Sequence, residues 1–258
     1  MKRAFIPSDR LKPYVSVIEI HENEAEQTYK VLPGTGLVMG FQFSGGISKI
    51  EESAQQGLAG AGITGIANTY SIFKSAAGTG SVLVYFREGG AAPFFSTPLH
   101  EIFSESVSLD NFMLRSELLV IEEQLHEAPT DQKRVAVVEK FLLSRLKALE
   151  VDKLVVNAVA IIYKNNGVIR IGELASQLNI SQAPLEKRFR KTIGASPKKF
   201  ATIVRMKHAI SSYRSGESLT ELGYRAGFYD QAHFIKEFRA FTGDNPKRFF
   251  GEETGGTA

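Results

Sequence analysis

Four cations stand at matched positions in this chain: Lys187 and Arg190 within LEKRFRKTIGASPKKF (185–200), and Lys236 and Arg239 within FIKEFRAFTGDNPKRF (234–249). The two stretches are one sixteen-residue pattern written twice, 49 positions apart, with seven identical pairs that include Phe189/Phe238, Gly194/Gly243 and Pro197/Pro246. An apolar pair four residues apart, Leu185 and Phe189 or Phe234 and Phe238, marks the inward side of a helix in each copy. Ala183, Lys187 and Arg190 then fall opposite, with Glu186 on the flank. In the second copy Ala232, Lys236 and Arg239 face outward, Ile235 flanks them, and Gln231 and His233 occupy the first turn. Small residues and cations on the outer face of a rigidly backed helix suit insertion into the major groove of double-stranded DNA. One such face alone is usually only solvated. Duplication of the whole device argues for contact.

The elements that must hold these faces are legible around them. Gly194 and Gly243 can supply left-handed helix caps, and Ser196 and Asn245 can accept the first amides of a following helix that opens with Pro197 or Pro246. A shorter match (Ile171/Leu219, Glu173/Glu221, Leu174/Leu222) precedes each copy at an offset of 48, which puts one extra residue in the second turn. Each unit therefore reads as a short helix (about 172–178 or 220–226), a tight turn, and a second helix begun by Ser181 or Asp230. Between the units, residues 197–214 form one longer helix whose apolar stripe is Phe200, Ile203, Met206, Ile210 and Tyr213.

The stretches LASQLNISQAPLEKRFRKTIGASPKKF, RMKHA (205–209) and LGYRAGFYDQAHFIKEFRAFTGDNPKRF resemble the two-helix-turn-helix DNA-binding domain of the AraC/XylS transcription regulators. The resemblance covers about residues 152–250, and Gly227, Phe228, Asp230, Phe234, Phe238, Gly243, Pro246 and Phe249 follow the family signature in order. It implies DNA reading by Ala183, Glu186 and Lys187 in the first unit and by Gln231, Ala232, His233, Ile235 and Lys236 in the second. Two recognition helices would then enter successive major-groove faces about 34 Å apart, one turn of B-DNA. Gly223 stands where the family usually has Ala, and Gly inside a helix costs roughly 1 kcal/mol against Ala. A softer second unit is the expectation.

Charge is divided accordingly. Residues 1–150 carry 14 Lys and Arg against 18 Asp and Glu, a balance of −4, while residues 151–258 carry 17 against 10, a balance of +7. The basic half has the electrostatic footprint of a nucleic-acid binder. With no cysteine in the chain, disulfides, thiolate metal sites and cysteine nucleophiles are excluded, and so is a cysteine-dependent methyl acceptor with a similar DNA-binding half. No signal-peptide core follows Lys2 and Arg3, and no apolar run approaches a membrane span, so a cytoplasmic location without membrane contact is expected.

From about 14 to 88, short β-rich runs (YVSVIEI, TYKVL, GLVMGFQF, GISKIE, TYSIF, SVLVYF) alternate with Gly-bearing turns. Helical periodicity follows from Asp110, read as an N-cap, to about His126, and from Thr130 or Asp131 to about Leu149. The fold class expected is α+β with two domains. Residues 1–150 form an antiparallel β sandwich or partial barrel followed by helices (110–149), a sensing or dimerisation domain that the resemblance makes cupin-like. Residues 151–258 form the all-α DNA-binding domain, closely coupled to the first because no Pro/Gly-rich linker lies near Glu150. The β region offers only His21 and His100 as histidine ligands and no His-x-His pair, so no metal, cofactor or catalytic residue is expected. Tyr70, Phe73, Tyr85, Phe86, Phe94 and Phe95 are either core or the lining of an effector pocket. RNA polymerase, an unidentified small-molecule effector and a second copy of the chain complete the candidate partners. Two other readings compete: a cupin-fold enzyme carrying a DNA-targeting half, and an architectural protein that only bends DNA.

Overall fold

The computed structural model describes residues 1–51, 54–147 and 152–253. The expected boundary near Glu150 lies outside the described residues, and the helix expected to run to about Leu149 ends at Arg145, with extended backbone at Leu146.

Among the described residues ten strands make two antiparallel sheets. The strands are β1 (Lys2–Phe5), β2 (Val15–Asn23), β3 (Gln27–Val31), β4 (Val38–Ser44), β5 (Ile47–Glu51), β6 (Ala54–Gly57), β7 (Ala61–Thr64), β8 (Ser71–Ser75), β9 (Thr79–Phe86) and β10 (Ser106–Ser108). The first sheet runs β1-β2-β9-β4-β7-β10 and the second β3-β8-β5-β6. Strand structure thus extends beyond 14–88 at both ends, into β1 and β10. These outer strands are short and carry few apolar residues, which is why alternation did not reveal them.

Alternation assigns the two faces of the first sheet. Ile18, Ile20, Met39, Phe41, Ile63, Val82 and Val84 are buried, and the register places Ile18 and Met39 against Val84, and Ile20 and Phe41 against Val82. Helices α1 (Arg115–Glu127) and α2 (Asp131–Arg145) cover this face, with Phe41 and Phe141 meeting edge to face at 5.6 Å. Thr130 caps α2 by accepting the Lys133 amide, as its position suggests. Asp110 does not start α1. Ser108 caps a 3₁₀ turn over Leu109–Asn111, and the helix begins only at Arg115. The local serine captures the Asp110 amide first.

The opposite face of the first sheet looks into a cavity of about 500 Å³ shared with the second sheet. Val38, Gly40, Gln42, Ser81, Leu83 and Tyr85 line it from one side and Tyr29, Val31, Phe73 and Ser75 from the other. The aromatics singled out from sequence therefore divide. Phe73 and Tyr85 line the cavity, whereas Phe86, Phe94 and Phe95 belong to the buried core.

The C-terminal part is helical: α3 (Lys153–Lys164), α4 (Ile171–Gln177), α5 (Gln182–Ile193), α6 (Pro197–Ser211), α7 (Leu219–Arg225), α8 (Gln231–Thr242) and α9 (Pro246–Glu253). Its buried residues join those of the β part in one continuous apolar cluster. Tyr163 of α3 donates to Glu88 at 2.5 Å and lies 3.0 Å from the Thr35 hydroxyl, and α5 packs on a 3₁₀ turn over Leu99–Ile102. Close coupling of the halves is what the structure has.

Candidate nucleic-acid interface

Helices α4 and α5 form one helix-turn-helix unit and α7 and α8 the other. The connecting segments are Leu178–Ser181 and Ala226–Asp230, so the second turn is longer by the one residue that the shift in repeat offset requires. The backbone enters the left-handed region at Asn179 (φ 50°) in the first turn and at Gly227 (φ 75°) in the second. Asp230 accepts the His233 amide at 2.7 Å and caps α8. Ser181 holds the N-cap position of α5 but its side chain accepts no cap hydrogen bond, a departure from the role its residue type suggests.

At their far ends the recognition helices stop identically. Gly194 (φ 95°) and Gly243 (φ 77°) adopt the left-handed cap that costs any Cβ-bearing residue strain, and their amides donate to Arg190 and Arg239 carbonyls. Ser196 then accepts the Lys199 amide, and Asn245 the Lys247 amide. The helices that follow are α6, the spacer, and α9.

Inward residues seat each recognition helix. Leu185, Phe189, Phe234 and Phe238 have no solvent exposure. Phe189 meets Phe200 of α6 at 5.5 Å, and Phe238 contacts Phe234, Phe249 and Phe250 at 5.3–5.6 Å. The spacer helix buries Phe200, Ile203, Met206 and Ala209 between the units. Tyr213 lies past its end and stacks on Phe250 at 3.8 Å.

The residues proposed from sequence to touch DNA lie on the outside. Ala183, Lys187, Arg190, Gln231, Ala232, His233, Lys236 and Arg239 are exposed, while Glu186 and Ile235 are half-buried. They are not equally free. Glu186 accepts both the Nε and Nη2 of Arg190 at 3.0 and 2.6 Å, an i, i+4 pair that neutralises one cation of the first face. Gln231 accepts a hydrogen bond from Thr220 at 3.1 Å, which orients its amide across the two helices of the second unit. His233 lies edge-on to Phe228 at 5.4 Å. Lys187, Lys236 and Arg239 have no ion pair among the described residues.

Two arginines support the site from behind. Arg188 grips Asp152 through two hydrogen bonds of 2.8 Å, tying α5 to the cap of α3. Burial disfavours the Asp152 charge, but Arg188 and the amides of Val155 and Leu154 outweigh it and hold the carboxyl below its usual range. Arg205 of the spacer helix lies over the Phe228 ring at 4.0 Å, and burial pushes its guanidinium below the ordinary value. It links α6 to the turn of the second unit. Neither Arg188 nor Arg205 was distinguished by sequence periodicity, since each needs a partner from another helix.

Gly223 has a packing role that its helix position alone did not reveal. A Cβ there would lie 3.3 Å from Phe234 Cβ and 3.4 Å from its Cγ. The equivalent residues of the first unit are Ala175 and Leu185, so a smaller residue on one helix accompanies a larger one on the other. Overpacking costs about 1–3 kcal/mol, more than the roughly 1 kcal/mol that Ala returns in helix propensity. Gly223→Ala is therefore expected to destabilise the domain by about 1 kcal/mol. Thermal melts of the parent and the variant check the sign, and a Gly223→Ala protein more stable than the parent would refute it.

Among the described residues no group of three or more His, Cys, Asp or Glu could hold a metal, and no helix is long and apolar enough to cross a membrane.

Residues 174–252 match the family described as Helix-turn-helix domain, and residues 3–108 match a domain of unknown function (DUF6597). The chain is 30% identical over 153 residues to the Msm operon regulatory protein of Streptococcus mutans, covering 58% of this chain and 55% of that one. It is 31% identical over 71 residues to the lactose operon transcription activator of Staphylococcus xylosus, covering 27% of this chain and 25% of that one. The chain thus spans about half the length, or less, of these relatives. Among solved structures, ToxT from Vibrio cholerae aligns with a TM-score of 0.48 at 11% identity, covering 91% of this chain and 97% of that one.

Proposed function

We propose, from the match of residues 174–252 to a helix-turn-helix domain family, that the chain is a sequence-specific transcriptional regulator of the AraC/XylS type acting on promoter DNA. The observation that carries this reading is the duplicated unit: two recognition helices that end in the same left-handed glycine cap, each seated by buried aromatic or aliphatic residues and each presenting, at the same repeat position, an exposed lysine with no ion pair among the described residues. Helices α5 and α8 enter successive major-groove faces. Lys187, Arg190, Lys236 and Arg239 supply phosphate contacts or guanine readout, Gln231 and His233 read base edges, and Ala183 and Ala232 admit the groove wall. Glu186 holds Arg190 until DNA offers it a phosphate. Ile235 presents apolar surface to a thymine methyl.

The first 150 residues act as the sensing half, and the last 108 as the DNA-binding half. The cavity between the sheets is the effector site. The residues that line it include no Asp, Glu, Lys or Arg among the described residues, and the buried Ser75 hydroxyl has no hydrogen-bond partner there. Tyr85 stays protonated, its phenol pushed up by burial and by the Glu19 charge. This chemistry favours an uncharged effector with a polar group for Ser75 and an apolar body for Tyr29 and Phe73. The protein works in the cytoplasm without catalysis, and RNA polymerase and a second copy of the chain are its further partners.

Selection of bound duplexes from a random pool by the full chain tests the function. Two conserved boxes about 10 base pairs apart, centre to centre, are the expected outcome. Sequence-indifferent binding would favour an architectural role instead.

A further inference from the structure

Both recognition helices end against the N-terminal half, at equivalent positions of the repeat. At the first, a Cβ on Gly194 would lie 3.2 Å from the Leu99 carbonyl, and one on Gly89 would lie 3.2 Å from Thr192 and 3.4 Å from Ile193. Leu99 and Ile193 are both buried. At the second, the Tyr70 ring closes on Gly243 so tightly that a Cβ there would meet its atoms at 2.7–3.0 Å. The next residue, Asp244, is ion-paired to Lys30, whose ammonium lies 5.2 Å from the centre of the Tyr70 ring. Lys30 is on β3 and Tyr70 directly precedes β8, the strand paired with it.

These contacts grip the rear of each recognition helix and cover none of the outward residues, all of which remain exposed or half-exposed. A contact of that kind cannot mask the DNA-reading faces. It can only set their distance and angle. The first grip is apolar and buried, whereas the second rests on one ring and one partly exposed ion pair, so the docking of α8 on the N-terminal half depends on few groups.

We propose that the β domain is a jig for DNA spacing: Tyr70 and Lys30, by holding Gly243 and Asp244, fix α8 relative to α5 and so determine which separation of two DNA boxes the chain accepts. The proposal rests on the regulator reading above. Physically, a docked second unit has already lost the freedom that a loosely tethered one must surrender on binding, and it engages one spacing at high effective concentration. Tyr70 and Lys30 are positioning residues, since neither reaches DNA.

The test uses the full chain and the two-box duplex recovered by selection, with the spacer lengthened and shortened one base pair at a time. The parent should bind best at one spacing and lose affinity on either side. Tyr70→Ala and Lys30→Glu should each lose about tenfold at the best spacing and flatten the profile, with single-box binding unchanged. Tyr70→Phe should keep the parent profile. Lys30→Glu combined with Asp244→Lys should regain it, a rescue that simple loss of stability would not give. If Tyr70→Ala folds poorly, the Lys30 and Asp244 exchange decides alone. A parent-like profile in Lys30→Glu overturns the jig and leaves the regulator reading standing, and so does loss of single-box binding along with the profile. Failure of the parent to select any two-box site overturns both.

Discussion

Phe238→Ala and Phe189→Ala will each destabilise their own helix-turn-helix unit by about 3–5 kcal/mol, the loss typical of a large aromatic removed from a packed core. Both side chains are fully buried, but their surroundings differ. Phe189 has Phe200 as its aromatic neighbour, whereas Phe238 touches Phe234, Phe249 and Phe250 and holds α9 as well as α8. The cavity left at 238 is bounded by rings that cannot close over it without leaving their rotamers, so this variant should show the larger loss. Against a total domain stability of about 5–15 kcal/mol, either change is severe. Hydrogen exchange provides the local readout: amides of 231–242 should lose protection in Phe238→Ala while those of 182–193 keep more of theirs, and the reverse should hold for Phe189→Ala. A variant that melts like the parent yet no longer binds DNA would mean that the ring faces the nucleic acid and the inward face has been misassigned.

Lys187→Ala and Lys236→Ala should have the opposite character, weakening DNA binding while changing stability by no more than about 0.5 kcal/mol. Each lysine is exposed and has no ion pair among the described residues, so its removal breaks nothing in the free protein. Where the lysine meets a phosphate, the slope of log affinity against log salt should shrink by about 0.9 per residue. Where it reads a guanine, discrimination at that one base pair should fall by about 1–3 kcal/mol and the slope should change less. Binding titrations across a salt series, on the selected site and on single-base variants, separate the two. Unchanged affinity in both variants would leave these lysines as solvated surface.

Much of the basic half was legible in the sequence because it is built from short-range interactions. A helix face repeats every three or four residues, a Gly cap answers the carbonyl four residues earlier, and Asp230, Ser196 and Asn245 each serve an amide within three positions. The duplication then supplied an internal control, since a feature present at the same place in both copies answers the same structural demand twice. Alternation likewise revealed β2, β4 and β9, whose inward residues form the face under α1 and α2.

Where local signals competed, or where a contact joins distant segments, only the folded chain decided. Asp110 and Ser108 are both good caps, but Ser108 caps a 3₁₀ turn by accepting the Asp110 amide, and α1 begins only at Arg115 without a side-chain cap. Gly223 looked like a weak point of its helix until Phe234 was found against the space a methyl would fill. Tyr70 was one aromatic among six, with nothing near it to separate core, cavity and docking roles, and it lies on the cap of α8. Lys30 and Asp244 are 214 positions apart, and no periodicity links residues at that separation. The sequence by itself determined which residues each recognition helix presents, since that follows from neighbours within a turn or two. How the two helices are held relative to each other was decided by tertiary structure, because the groups that meet them, the spacer helix on one side and Leu99, Tyr70 and Lys30 on the other, are distant in the chain or lie in its other half.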